Sequence, residues 1–148
     1  MTQIDFYIIT GDSDVSRLRL ACRITEKAVN HGQQVYLNSA TEADARKLDE
    51  LLWTFSQGSF IPHRVVSETL EDTPDEPVLI GFQGGADSEG ASENWDFMIN
   101  LATEVPEHFS RYVRVAEVVD ANPQRREEGR ERYRFYRDRG YELKTHKV

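Results

Sequence analysis

IDFYIITGDSDVSRLRLACRITEKAVNHGQQVYL, residues 4–37, is the stretch that decides the fold. Its first six residues are an apolar run rich in β-formers, stopped by Thr10, Gly11 and Asp12, as a buried strand entering a turn would be. Ser13 or Asp12 can cap a helix. Leu18, Ala21, Cys22, Thr25, Ala28 and Val29 then recur at spacings of three and four, making one apolar stripe that Gly32 closes. Residues 34–37, QVYL, read as a second strand. Strand, helix and strand at this spacing predict a right-handed parallel pair, the opening of a nucleotide-binding-like α/β unit.

The same reading carries through the rest of the chain. Thr41 to Asp44 resembles a capping box, and the helix it opens buries Leu48, Leu51, Leu52 and Phe55, with Trp53 at the flank of that stripe. Residues 56–59 end the helix, and Arg64, Val65 and Val66 form a short strand that Pro62 keeps out of a central ladder position. Residues 68–77 are an acidic, proline-punctuated loop, 78–82 (VLIGF) a buried strand, and 83–94 (QGGADSEGASEN) a glycine-rich polar loop. Residues 97–101 form another strand. Residues 112–119 form a longer one, whose alternation of Val113 and Val115 with Arg114 and Glu117 predicts a half-exposed start. After the helix that follows, residues 141–144 leave a short final strand or tail. The expected fold is α/β: one Rossmann-like three-layer domain over residues 1–148, with a mostly parallel sheet.

With 148 residues and 39% hydrophobic content, the chain supports one core and is too short for two comfortable domains. It has no apolar run of 18 residues and no basic lead at its N-terminus, so a soluble, cytoplasmic protein without a membrane span is expected. The lone Cys22 excludes an internal disulfide. The four histidines (His31, His63, His108, His146) show no metal-ligand spacing, so neither metal nor cofactor is expected. A net charge of -8 opposes a direct grip on nucleic acid by most of the surface, so any contact with DNA should be indirect.

The turn Gly11-Asp12-Ser13-Asp14 has neither GxGxxG nor GxxxxGK[ST], and its two acids would repel a phosphate. Gly84, Gly85 and Gly90 precede no convincing helix and lie beside Asp87 and Glu89 without a Lys or Arg. No GxSxG elbow occurs, and the available carboxylates belong to solvated runs. No catalytic residue emerges.

Residues 122–140, NPQRREEGRERYRFYRDRG, carry +3 in a chain whose remainder carries -11. Asn122 is a good N-cap, Pro123 suits the first helical position, and Gly140 can supply a left-handed cap. Arg126, Arg130, Arg134 and Arg137 fall in one stripe, with Tyr133 and Tyr136 beside it. This face could be a solvated helix laced by Glu128–Arg132, Glu127–Arg130 and Glu131–Arg134 pairs. It could instead receive an acidic ligand, because the arginine fork grips carboxylate or phosphate at two points. Charge alone does not choose between those two anions.

Three stretches together resemble the chi subunit of the bacterial DNA polymerase III holoenzyme. They are the opening IDFYII with its acidic turn, LDELLWTF (residues 48–55) followed by SFIPH (59–63), and GRERYRFYRDRGYEL (129–143). Their order and spacing match that family over nearly the whole chain, and the tryptophan followed by SF(I/V)PH is fairly specific. The resemblance implies a domain shaped like a nucleotide-binding fold without its phosphate loop, acting as a non-catalytic adaptor in the polymerase complex. Such a protein pairs with the psi subunit, which ties it to the clamp loader, and binds the acidic C-terminal tail of single-stranded DNA-binding protein. It would be nucleoid-associated through the replisome.

By position, the resemblance implies tail binding by Arg130, Tyr133, Arg134 and Arg137, with Val119 helping to form an apolar pocket; Arg134 stands where some members have Lys. It implies psi binding at Trp53 and Phe60, where a helicase partner docks in some members. On residues alone, Trp53 and Phe60 could equally be ordinary core. A tail of aspartates ending in an apolar residue would favour carboxylate over phosphate. Two rivals stand beside the adaptor: a nucleotide-dependent α/β enzyme and a direct single-strand binder using the Arg and Tyr face.

Overall fold

A computed structural model describes residues 1–58, 60–65, 75–82 and 96–148. The expected loops over 68–77 and 83–94 fall largely or wholly outside these residues. Seven strands, β1 (Gln3–Ile8), β2 (Val35–Ser39), β3 (His63–Val65), β4 (Val78–Phe82), β5 (Phe97–Asn100), β6 (Arg114–Val119) and β7 (Leu143–Lys147), form one sheet in the order β3-β4-β2-β5-β6-β1-β7. Every pairing is parallel. β1 and β2 are therefore parallel as expected but are not neighbours, since β5 and β6 lie between them. The reason is burial: β5 is covered along its whole length and β6 along all but its first residue, and such strands belong at the centre of a parallel sheet.

Helices α1 (Asp14–Asn30) and α2 (Glu42–Thr54) cover one face of the sheet, and α3 (Pro123–Asp138) packs on the other. Leu18, Ala21 and Cys22 of α1 and Ala45, Leu48 and Leu52 of α2 meet Leu37, Ile80, Ile99 and Val118 in the first core layer. Cys22 lies in this layer, where burial pushes its thiol up to about 12. In the second layer Ile4, Phe6, Met98, Val115 and Val119 meet Tyr136 of α3 and Phe109 of a short 3-10 turn, Phe109–Arg111.

The helix ends follow the local chemistry. The Thr41 hydroxyl accepts a hydrogen bond from the Asp44 amide at 3.1 Å, and the Asn122 side chain accepts from the Gln124 and Arg125 amides at 3.1 Å each, satisfying amides that a helix start leaves orphaned. Gly140, at φ 82°, turns the chain out of α3 toward β7, a conformation that favours glycine. β7 pairs with β1 from Leu143 to Lys147, so of the expected strand or tail it is a strand, at the edge of the sheet.

Candidate protein-docking surfaces

α3 is placed by a buried polar row beneath it. Asn38, Asn100 and Glu117 stand on adjacent strands β2, β5 and β6 in register. The Asn38 amide donates to Asn100 Oδ1 at 3.0 Å, and the Asn100 amide donates to both Glu117 oxygens at 3.2 and 3.0 Å. From α3, Arg132 Nε donates to Glu117 Oε1 at 2.8 Å and the Tyr136 hydroxyl donates to Oε2 at 2.7 Å. Arg132 also donates to the Thr103 carbonyl at 3.0 Å. Glu117 is 0% exposed, and four donor bonds from three side chains satisfy both of its oxygens, as a buried carboxylate requires.

Three sequence expectations are corrected by this row. Glu117 does not lie on an exposed strand face, and the arginine of the expected Glu128–Arg132 pair turns inward to Glu117. Tyr136 is likewise not at the edge of the surface stripe; it is fully buried, where desolvation, with the Glu117 charge and hydrogen bond, pushes its phenol far up. A signal was present in the sequence, because an acid sits inside the apolar run VAEVV. Its partner could not be found there.

With that face pinned, the other expected residues of the helix line its flank. Arg126, Arg130, Arg134 and Arg137 are all exposed. Arg130 meets Glu127 at 3.3 Å, with its side chain 60% exposed, and Arg137 meets Asp138 at 3.2 Å; such exposed pairs are weak and exchangeable. Arg126 and Arg134 carry no carboxylate partner among the described residues. Tyr133 is half-buried, its ring edge-to-face against Phe6 at 5.2 Å. Val119 is 5% exposed beneath the helix, and a Cβ built on Gly129 would stand 2.9 Å from Val119 Cγ2. The small residue at 129 is what lets α3 seat over Val119.

At the other end of the sheet, Trp53 and Phe60 are exposed, 49% and 74% respectively, with ring centroids 5.5 Å apart. Neither is core. Trp53 also lies 4.3 Å from the ring of His63, a residue the sequence reading passed over. His63 is buried, one ring nitrogen 2.6 Å from the Ile61 carbonyl and the other 3.0 Å from the Asp49 carbonyl. It ties the start of β3 to α2, and Trp53 and Phe60 form an aromatic ledge over that tie, beside exposed Pro62.

The turn after β1 adjoins a cleft of about 530 Å³ at the carboxyl ends of the strands, the place where α/β sheets commonly bind ligands. Its arginines are already engaged: Arg17 with Asp14 at 2.9 Å, Arg125 with Asp120 at 2.6 Å, and Arg132 with Glu117 at 2.8 Å. Asp44 and Glu128 add further negative charge to the lining. A phosphate would have to displace carboxylates from every cation present, which agrees with the acidic turn of the sequence. Among the described residues no group of His, Cys, Asp and Glu is arranged to hold a metal ion, and no helix is long and apolar enough to cross a membrane.

These features define a parallel α/β domain whose exposed side chains form two separate surfaces. A solved structure titled the crystal structure of T4 UvsW superposes with a TM-score of 0.70 at 10% identity, over 99% of this chain and 41% of that one; this is a likeness of fold alone. The chain belongs to the family described as DNA polymerase III chi subunit, HolC, which it matches over residues 1–144. It is 40% identical to the DNA polymerase III subunit chi of Pseudomonas aeruginosa over 148 residues, covering all of this chain and 98% of that protein. The subunits of the same name from Haemophilus influenzae and Escherichia coli K12 are 27% and 29% identical, over 97% and 98% of this chain and 95% and 97% of their own lengths. The resemblance read from the three sequence stretches is thus shown, and the chain is a homologue of a replication accessory subunit.

Proposed function

We propose that the chain is a non-catalytic adaptor of the polymerase III complex with two protein partners. On α3, Arg130, Arg134 and Arg137 receive the carboxylates of the C-terminal tail of single-stranded DNA-binding protein, while Tyr133 and Val119 shape the apolar floor beside them. Trp53 and Phe60 receive the psi subunit, which links the chain to the clamp loader, and a helicase partner would use the same ledge. DNA is met only through these partners, in the cytoplasm at the replisome.

The observation that carries this reading is the arrangement of α3: its inward face is consumed by the Glu117 network, while its outward arginines stand exposed beside a half-buried tyrosine. Arginine forks suit carboxylates, and a short cationic face suits a short acidic peptide better than a long nucleic-acid track. The ledge and α3 lie on opposite faces, and the four strand intervals between β3 and β6, on which α3 rests, separate them by about 19 Å. An adaptor requires such independence.

Calorimetric titration with a synthetic tail peptide, with oligothymidylate and with ATP distinguishes the adaptor from its rivals; binding of the peptide alone is expected. Arg130→Ala should weaken the peptide by about 1.5–3 kcal/mol at low salt, the value of a charge-assisted hydrogen bond. Trp53→Ala should abolish co-elution with psi and leave peptide binding within about 0.5 kcal/mol, since distant sites are additive. Unchanged peptide affinity in Arg130→Ala with normal melting would overturn the tail site.

A further inference from the structure

A second cationic groove lies on the opposite face of the sheet from α3, between the C-terminal half of α1 and strands β1, β5 and β6. Its volume is about 590 Å³, within the range of sites that hold a small ligand or a few peptide side chains. Leu20, Ile24 and Ala28 of α1 and Tyr7 of β1 make its apolar floor, and Arg23 and Lys27 stand on its rim. None of the described side chains lining it is acidic, in a chain whose net charge is -8.

The rim cations are available. Arg23 and Lys27 are exposed and make no ion pair among the described residues. Arg114, by contrast, forms a wall: its guanidinium bonds the buried Asp5 carboxylate, donates to the Tyr7 hydroxyl at 3.2 Å and lies 5.1 Å over the Phe97 ring. An anion entering the groove therefore meets two free charges above an apolar floor.

Spacing and ring occupancy select the anion. Residues four apart on a helix place their Cβ atoms about 6 Å apart, and an extended peptide repeats its side chains on one side about every 6.7 Å. Carboxylates at alternate positions of an extended peptide thus reach Arg23 and Lys27 together, while the residues between them face away from the groove. A single nucleic-acid strand would need open aromatic faces for its bases. Here the Tyr7 ring already stacks on His146 at 4.8 Å, and Phe97 is 2% exposed beneath Arg114.

We infer that this groove is a second docking site for an acidic extended peptide with carboxylates at alternate positions, separate from the cationic face of α3. The test uses the full chain carrying Arg130→Ala and Arg134→Ala, so that the α3 face is weakened, titrated with a peptide alternating aspartate and serine and observed by amide resonances. Saturable shifts of Arg23, Ile24 and Lys27 are expected. Adding Arg23→Glu and Lys27→Glu should weaken them at least roughly tenfold, the equivalent of one charge-assisted contact, without changing the melting temperature. If the reversals lower melting, Arg23→Gln with Lys27→Gln should give the same loss. Absent shifts, shifts indifferent to the neutral substitutions, or shifts produced by oligothymidylate in place of the peptide would overturn the inference. Because α3 is already weakened and the shifts are read at Arg23, Ile24 and Lys27, failure here is distinct from failure of the α3 tail site.

Discussion

A single methyl group measures how closely α3 is seated. A Cβ at position 129 would lie 2.9 and 3.1 Å from the two Cγ atoms of Val119, and a β-branched side chain has little freedom to step aside. Helix propensity favours alanine over glycine by about 1 kcal/mol, but overpacking a core commonly costs about 1–3 kcal/mol. Gly129→Ala is therefore expected to destabilise the chain by about 1 kcal/mol. Val119→Ala in the same chain should recover part of that loss, because it removes the atoms the new methyl strikes. Urea denaturation of the two single variants and the double variant measures the coupling, and simple additivity would show that α3 does not rest on Val119.

α3 as an element is held by one carboxylate. Glu117 receives Arg132, Tyr136 and Asn100, so Glu117→Gln would leave the buried Arg132 charge unmatched. Removing one partner of a buried pair typically costs about 3–5 kcal/mol, and that loss is expected in chemical denaturation. Replacing both partners, Glu117→Gln with Arg132→Met, should cost less than Glu117→Gln alone, because no charge is then stranded. The tail peptide would weaken in Glu117→Gln as well, although Glu117 touches no part of the proposed site, since the helix presenting the arginines would lose its anchor. Equal stability of Glu117→Gln and the parent would mean that packing of Tyr136 and Phe109 alone seats the helix.

The whole domain should fail in alkali. Burial pushes the Cys22 thiol and the Tyr36 hydroxyl up to about 12, and desolvation raises Tyr112 and Tyr136 as well. From about pH 9 upward the unfolded chain releases these protons while the native chain retains them, so the unfolded state binds fewer protons and stability falls as pH rises. Below that range the contribution is fully present. Each tyrosine can remove up to about 1.4 kcal/mol per pH unit above 10. Denaturation midpoints between pH 8 and 11, with phenolate absorbance followed alongside, test this; a flat profile would mean that these side chains are hydrated in the native state.

The sequence by itself determined the elements and much of what lies on them. Periodicity placed α1 and α2, end signals from Asn122 to Gly140 placed α3, a cap at Thr41 marked the start of α2, apolar runs marked β1, β4 and β5, and the +3 helix stood out in an acidic chain. These are local properties, fixed by neighbours within a few residues. Only the tertiary structure decided that β5 and β6 part β1 from β2, that Tyr136 points inward, that Arg132 abandons Glu128 for Glu117, and that Trp53 and Phe60 stay in the open. Each of these outcomes is a competition between partners distant in the chain. Helical spacing can put Arg132 within reach of Glu128, but it cannot reveal a carboxylate on a neighbouring strand, already dry and already bonded to Asn100, that holds the same guanidinium more strongly.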